Sequence, residues 1–362
     1  MLVPIAVALI VVNGLSPTAV LLPAGLLYLA AALVYRLPVP VQPLKAFGAI
    51  AIAKGFGANE IAAGALLMGA IFFTAGQLGI VDRLSLAFPR PLIRGVQLTV
   101  GLLFLKIAWG LVADPPRAFA AHELAPAWAV PIAFGAAAVA LVFKRAGATL
   151  ALVATGAVVA VVSSGDVAFG PSAIDIPSFS LATLGVAFTA LVIPQAPLSF
   201  ANSCLATADA ARAYFGERAA ARVRPGRLAT TLGGANLVAG AIGGMPVCHG
   251  AGGLTAHYTF GARTAAAPVV LGTTLLVLAV AVGSGLGELL SAFPLPILAA
   301  LLGTAGVLHI GLLRDLEGSK AWAIALLVGA LGFWWNLGPA LGIGLVLWWI
   351  PVGARRLRAA FA

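Results

Sequence analysis

Residues 243–253, Gly-Gly-Met-Pro-Val-Cys-His-Gly-Ala-Gly-Gly, form a polar, glycine-rich break inside sequence that is otherwise apolar. Glycine allows a backbone to leave the helical conformation and to approach a ligand closely. Non-helical backbone at membrane depth is tolerated only where it is buried in protein or lines a cavity. A second break, Pro-Val-Pro-Val-Gln-Pro-Leu-Lys at 38–45, lies in the first half of the chain. Paired interruptions in two halves of a membrane protein are typical of a transporter's binding site.

The rest of the chain has the composition of a polytopic membrane protein. Of its 362 residues, 62% are hydrophobic and 9% are charged, and no long polar block separates the apolar runs. This excludes a single membrane anchor joined to a soluble domain. The formal net charge of +10 would suggest nucleic acid binding in a soluble protein, but here the basic residues lie in short loops. We therefore expect no nucleic acid partner. The two cysteines, Cys204 and Cys248, are too few for a disulfide framework.

The apolar runs predict about fourteen segments, each a span or half of one. Two of them, 41–56 and 246–260, are too short or too rich in glycine and proline to span, so we expect half-helices there. The other segments lie at roughly 2–15, 18–36, 60–80, 91–113, 127–143, 147–164, 180–205, 228–243, 266–285, 294–313, 319–335 and 337–352.

Charge placement supports this count, because every basic cluster follows an even-numbered segment. The clusters are Arg83, Arg90 and Arg94; Lys144 and Arg145; Arg212, Arg218, Arg222, Arg224 and Arg227; Arg314 and Lys320; and Arg355, Arg356 and Arg358. The odd-numbered connections carry Asp114, Glu123, Asp166, Asp175 and Glu288, with Arg117 as their one cation. By the positive-inside rule, both termini and the 206–228 loop are predicted to be cytoplasmic. We expect the membrane to be a plasma (inner) membrane.

An internal repeat relates the two halves of the chain. Ala-Phe-Pro-Arg-Pro at 87–91 matches Ala-Phe-Pro-Leu-Pro at 292–296, an offset of 205 residues. Val-Pro-Val-Gln at 39–42 matches Met-Pro-Val-Cys at 245–248, an offset of 206. Seven segments per repeat is an odd number, so the second repeat must run with inverted topology. The prediction is an all-α polytopic membrane protein with a 7+7 inverted-repeat transporter fold, its two half-helices meeting mid-membrane.

The two breaks have the chemistry of an anion site. Pro40 and Pro246 each precede a half-helix, whose first N–H groups are free and whose N-terminus carries a partial positive charge. Neither break contains a carboxylate, which suits a ligand that needs many donors and no competing anion. The candidate substrate-binding residues of the breaks are Gln42, Lys45, Cys248, His249 and Gly250.

Each of these residues has a plainer alternative. Lys45 could snorkel to the interface or pair with a distant acid, His249 could be a satisfied core histidine, and Cys248 could be a small packing residue. Lys106 and His309 lie in apolar spans and either line the domain interface or snorkel. A metal site built from the cysteines, His249 and His257 is disfavoured, because adjacent Cys and His residues have poor chelate spacing. We predict no metal and no cofactor.

The eighth segment carries a polar face. Gln195, Ser199 and Asn202 are spaced four and three residues apart, so on a helix they share one face, which suits an oxygen-rich ligand. Hydrogen bonding between helices is the alternative role for such neutral side chains.

At these positions the sequence resembles the molybdate transporter family within the sulfate permease superfamily. The resemblance covers nearly the whole chain and is carried by residues 38–46, 91–98, 194–202, 245–254 and 257–263.

The resemblance implies a 7+7 inverted repeat, as in uracil permeases, with a core domain at 1–80 and 180–290. A gate domain would occupy 81–165 and 291–354. It implies secondary-active uptake of molybdate by alternating access, with the oxyanion bound between the two half-helices. Tungstate, sulfate or another oxyanion remains an alternative substrate, and a homodimer remains open. A nucleobase permease is a weaker alternative, because neither break holds an acid to pair with the ring. A membrane-embedded enzyme using Cys248 or His249 is weaker still, because the nearest acid, Glu288, is expected at the external edge.

The chain departs from the family pattern at both ends. Members usually carry a Gly-Asp-x-Gly stretch just ahead of what is here Val3-Pro-Ile, and this sequence starts after it, which leaves proton coupling open. Only residues 353–362 follow the last predicted segment, so we expect no soluble regulatory domain.

Overall fold

The computed structural model describes residues 2–85, 88–115, 119, 124–143, 146–164, 167–335 and 337–360, and these are mostly helical. The first half contains α1 (Leu2–Val11), α2 (Pro17–Tyr35), β1 (Gln42–Pro43), α3 (Lys45–Lys54), α4 (Ala58–Gln77), α5 (Ile80–Ser85), α6 (Arg90–Ala113), α7 (Pro126–Phe143) and α8 (Ala146–Ser163). The second half contains α9 (Leu181–Ala187), α10 (Ile193–Leu198), α11 (Thr207–Ala219), α12 (Pro225–Ala241), β2 (Val247–Cys248), α13 (Ala251–Thr259), α14 (Ala266–Ala281), α15 (Leu286–Ser291), α16 (Leu295–Ile310), α17 (Ser319–Trp334) and α18 (Leu337–Ala360).

The predicted repeat reappears as matched elements. The segments α2, α3, α4, α5 and α6 correspond in order to α12, α13, α14, α15 and α16. The short helices α5 and α15 lie at residues 80–85 and 286–291, an offset of 206 residues that equals the sequence offset of the breaks. These connecting helices were not predicted, because six residues carry too little periodicity to distinguish them from the end of a span.

Five helical segments of the described residues are long and apolar enough to cross a membrane. They are Pro17–Tyr35, Ala58–Gln77, Arg90–Ala113, Leu181–Arg222 and Leu295–Asp315. Shorter apolar helices lie at Pro126–Val142, Ala151–Ser163, Ala266–Ala281, Ser319–Trp334 and Leu337–Ile350. The segment Leu181–Arg222 is composite, because π-helical turns at Phe188–Val192 and Ser199–Ala206 separate α9, α10 and α11. Pro194 and Pro197 lie in the α-helical turn between them, where each lacks the N–H of a regular helix bond.

The helices pack in two groups. One group contains α2, α4, α12 and α14, and the other contains α6, α16, α17 and α18. Each group has a reciprocal glycine contact that brings two helices together. Gly25 of α2 faces Gly272 of α14, and Gly101 of α6 faces Gly306 of α16. In each pair, a Cβ added at either glycine would approach the partner's carbonyl oxygen to about 3 Å, so both positions require glycine.

Contacts between connecting segments support the count of fourteen. Arg94 at the start of α6 forms ion pairs with Asp209 of α11 and Asp315 after α16, so three even-numbered connections meet. Odd-numbered connections meet one another in the same way. Thr18 donates to Ala279 O, Asn59 bonds Ser178, and Gly170 N donates to Ala281 O. Arg117, Glu123, Lys144, Arg145 and Asp166 of the charge argument lie outside the described residues.

Candidate functional site

The two sequence breaks meet in the protein interior as a short antiparallel ribbon. β1 pairs with β2, with Gln42 opposite Cys248 and Pro43 opposite Val247. Leu44 N extends the ribbon by donating to Pro246 O over 3.1 Å. Gln42 and Cys248 are also equivalent in the internal repeat, so the paired residues are related by the repeat itself. The prediction that the breaks face each other is confirmed.

A half-helix starts from each strand. The first turn of α3 begins at Lys45 after Leu44, and that of α13 begins at Ala251 after Gly250. Neither Leu44 nor Gly250 provides a side-chain cap, so the first N–H groups of both helices lack a local partner. The two N-termini therefore bring partial positive charge toward the ribbon.

Gln195 accepts a hydrogen bond from one of these free N–H groups. Its Oε1 accepts from Phe47 N in the first turn of α3 at 3.0 Å, and its Nε2 donates to Ser199 Oγ at 2.9 Å. The shared face predicted for Gln195 and Ser199 is therefore present. Asn202 lies inside the π-helical turn, where the spacing of an ordinary α-helix no longer applies.

Lys45 is the central charge of this region. Its side chain is buried, with the residue only 5% exposed, and its Nζ lies 5.3 Å from the centre of the Phe104 ring on α6. Within the described part of the chain, Nζ has no hydrogen-bond partner. A lysine that snorkels would reach the membrane surface, and Lys45 does not. A buried cation without a counter-charge is costly, which favours an anion as its partner in the working protein.

Two buried amide side chains, those of Gln42 and Asn202, are also incompletely bonded. Gln42 Nε2 lies 3.4 Å from Gly250 O, while Gln42 Oε1 and Asn202 Oδ1 are buried with no partner among the described residues. A 180° rotation of the Asn202 amide would place its NH₂ group where that oxygen lies. The region can thus supply further donors at little structural cost.

His249 holds the ribbon in place. Its Nδ1 lies 3.0 Å from Pro40 O and its Nε2 lies 2.8 Å from Thr231 Oγ1. Because a carbonyl oxygen only accepts, Nδ1 carries the proton and Nε2 accepts from the threonine. Tyr35 packs edge-on against the ring at 5.5 Å. The geometry is that of the satisfied core histidine weighed above, with both nitrogens used by the protein.

Cys248 fits a packing role as well. Its Sγ is buried and lies 3.6 Å from Pro43 O. Within the described residues, no three His, Cys, Asp or Glu side chains come together in a way that could hold a metal ion.

A cavity of about 320 Å³ lies beside the ribbon, between α13 and α16. Its lining includes Gln42, Gly252, Gly253, His257 and Thr304. At about 30 Å³ per water molecule, this volume accommodates a small oxyanion together with several waters. Of the eight predicted ligands, Gln42 lines this cavity, whereas Lys45, Gln195, Ser199, Asn202, Cys248, His249 and Gly250 do not. Gln42 is therefore the predicted ligand that places the ribbon at the edge of this cavity.

Three residues of the second helix group, which contains α6 and α16, lie next to Lys45 or the cavity. Phe104 covers Lys45, His309 packs edge-on against Phe104 at 5.7 Å, and Thr304 lines the cavity. A Cβ at Gly252 would overlap the His309 ring, so α16 lies directly against the first turn of α13. His309 thus takes the interface position of its two predicted alternatives. Lys106 is exposed, and its Nζ lies 5.9 Å from the centre of the Phe333 ring. Nothing in the local sequence singled out Phe104 or Thr304.

Comparison with solved structures identifies the fold. The transmembrane domain of a cyanobacterial bicarbonate transporter, BicA, matches with a TM-score of 0.65 at 18% identity, over 95% of this chain and 92% of that chain. The murine Slc26a9 anion transporter in its inward-facing state matches with a TM-score of 0.66 at 12% identity, over 98% of this chain and 66% of that chain. The fold is therefore the 7+7 inverted-repeat fold of a membrane transporter, as predicted.

Sequence comparison then places the chain within a family. The family model described as "Molybdate transporter of MFS superfamily" matches residues 1–104 and 187–308, and the chain belongs to this family. Molybdate transporter 2 of Arabidopsis thaliana is 28% identical over 94% of this chain and 82% of its own length. Molybdate transporter 1 of the same plant is 29% identical over 95% and 83%. The family name refers to the MFS superfamily, but the fold of this chain is that of BicA and Slc26a9. The protein is a transporter and not an enzyme.

Proposed function

We propose that the protein takes up molybdate by secondary-active alternating access, with the oxyanion bound between the N-termini of α3 and α13. The observation that carries the proposal is the buried Lys45 Nζ, which has no hydrogen-bond partner among the described residues. Lys45 begins α3, which like α13 has no side-chain cap at its N-terminus. Relatives that match over most of the chain carry the name molybdate transporter, which supports molybdate as the anion.

In this proposal, some of the predicted ligands contact the anion and the others support the site. Lys45 neutralises charge, while Gln42, Ser199, Asn202 and the free N–H groups after Gly250 donate hydrogen bonds to oxygen atoms. The remaining three, Gln195, Cys248 and His249, line the site and hold the ribbon and α3 in position through the bonds described above. Tungstate and sulfate share the charge and shape of molybdate and are the alternative substrates.

Movement between the two helix groups would provide alternating access. The core domain would comprise 1–80 and 180–290, and the gate domain 81–165 and 291–354, with the cavity between α13 and α16 at their boundary. The even-numbered connections, where the basic clusters lie, would face the cytoplasm across a plasma (inner) membrane. A homodimer is compatible with this arrangement.

Uptake of radiolabelled molybdate into proteoliposomes tests the proposal. We expect saturable uptake that tungstate blocks, with sulfate competing according to its fit and uracil without effect. Absence of uptake, or uptake blocked only by uracil, would contradict the proposal. A second series with an imposed pH gradient tests proton coupling.

Lys45→Met should weaken molybdate binding by roughly 10- to 100-fold, because a hydrogen bond to a charged group contributes about 1.5–3 kcal/mol. Methionine keeps most of the buried volume, and it removes an unpaired buried charge. The unliganded variant should therefore be at least as stable as the wild type. Isothermal titration calorimetry and thermal unfolding in detergent measure the two effects.

Lys320→Ala is the matched control, because Lys320 is exposed and its Nζ bonds only Trp348 O at 3.3 Å among the described residues. This variant should bind molybdate like the wild type. Equal losses of affinity in both variants would show that Lys45 has no specific role in binding.

A further inference from the structure

Thr304 in α16 lacks the side-chain hydrogen bond that several other helical threonines make. Four of these, Thr99, Thr189, Thr230 and Thr255, donate to the carbonyl oxygen four residues earlier in their own helix. Thr304 is only 6% exposed, and its Oγ1 makes no hydrogen bond within the described residues. The usual local partner is therefore not used at this position.

The location of Thr304 places it across the cavity from the half-helices. It lines the same cavity as Gln42, Gly252 and Gly253, yet it belongs to the second helix group. The same helix is held against α13 by the contact between His309 and Gly252. Thr304 is thus a polar group on an otherwise largely apolar wall that faces the candidate site.

Leaving a buried hydroxyl unpaired reduces stability, and buried polar groups in folded proteins nearly always have a partner. A hydroxyl that stays unpaired beside a cavity points to a partner that arrives with a ligand. An oxyanion accepts hydrogen bonds at every oxygen, so a hydroxyl donor fits it.

We propose that the Thr304 hydroxyl donates a hydrogen bond to the bound tetrahedral oxyanion, so that α16 completes a site otherwise built from the half-helices. This inference rests on the proposed function. It has a consequence of its own: the anion is held most tightly while α16 packs against α13, and it loses one ligand when the two helix groups separate.

Thr304→Val tests the inference, because valine keeps the shape and removes only the hydroxyl. We expect molybdate affinity of the purified full chain to fall about tenfold, while the Tm without molybdate stays equal or rises. Thr304→Ser keeps a hydroxyl and should retain most of the affinity. Calorimetric titration and thermal unfolding of the same preparations give both readouts.

Thr99→Val provides the contrast, because the Thr99 hydroxyl is bonded to Gly95 O and lies 3.2 Å from Gly329 O, away from the cavity lining. This variant should lower Tm and leave affinity unchanged. Wild-type affinity in Thr304→Val, or a loss of affinity accompanied by a Tm drop like that of Thr99→Val, would overturn the inference. If the wild type binds neither molybdate, tungstate nor sulfate, the proposed function itself fails and the inference fails with it.

Discussion

We expect Gly252→Val to abolish molybdate uptake, because no side chain fits at this position in the first turn of α13. A Cβ at Gly252 would overlap the imidazole of His309, and valine adds two further carbons. Relief would require α16 to move away from α13 or the ribbon to shift. The neighbouring Gly253 allows little shift, since its own Cβ would overlap the Gln42 amide and lie 2.8 Å from Pro40 Cβ. Uptake per molecule of reconstituted protein measures the loss.

Gly135→Val is the matched control for this substitution. Gly135 lies in α7, is exposed, and has no heavy atom within 4 Å of an added Cβ. Valine there should leave uptake close to the wild-type rate. Wild-type uptake by Gly252→Val would show that the contact between α13 and α16 is not part of the transport site.

Arg94→Leu should lower the free energy of unfolding by about 3 kcal/mol, the lower end of the range for breaking a buried ion pair. Arg94 is 6% exposed, and its guanidinium bonds Asp315, Asp209 and Gln97. Removing it takes away the cation closest to both carboxylates and leaves Arg90, whose Nη2 lies 3.7 Å from Asp209 Oδ1, as the remaining partner. The lower end applies because the side chain of Asp315 is 42% exposed and that of Asp209 is 25% exposed, so both retain contact with solvent. Thermal unfolding in detergent should show a Tm lower by several degrees.

Arg212→Ala serves as the comparison for Arg94→Leu. Arg212 also pairs with an acid, Glu217 at 3.6 Å, but both side chains are exposed, and such pairs contribute about 0–1 kcal/mol. Its Tm should stay near that of the wild type. Similar Tm values for the wild type, Arg94→Leu and Arg212→Ala would mean that the ion pairs of Arg94 do not hold the helices together.

Much of the fold could be predicted from the sequence because its signals are strong and local. Fourteen apolar segments coincide with helices or with the strand and half-helix pairs, and the 206-residue offset recurs in the pairing of Gln42 with Cys248. The π-helical turns around Pro194 and Pro197 were not predictable, since proline signals a disrupted helix without specifying how its bonds rearrange.

The candidate site was predictable in part. Lys45 and Gln42 were found because charged and polar residues are conspicuous in a break between apolar segments. The contacts of His249 with Pro40 and Thr231 arise from distant parts of the chain, so its supporting role could not be distinguished from a ligand role beforehand. Thr304 and Phe104 reach the site only because α6 and α16 pack against α3 and α13, and no local pattern encodes that approach.

The most direct measurement is a structure of the protein with tungstate, whose heavy atom marks its own position. The account predicts tungsten density at the ribbon, between the N-termini of α3 and α13, with oxygens within hydrogen-bonding reach of Lys45 Nζ and the Gln42 side chain. Density elsewhere in the membrane domain, or an unoccupied ribbon at tungstate concentrations that fully block molybdate uptake, would contradict it.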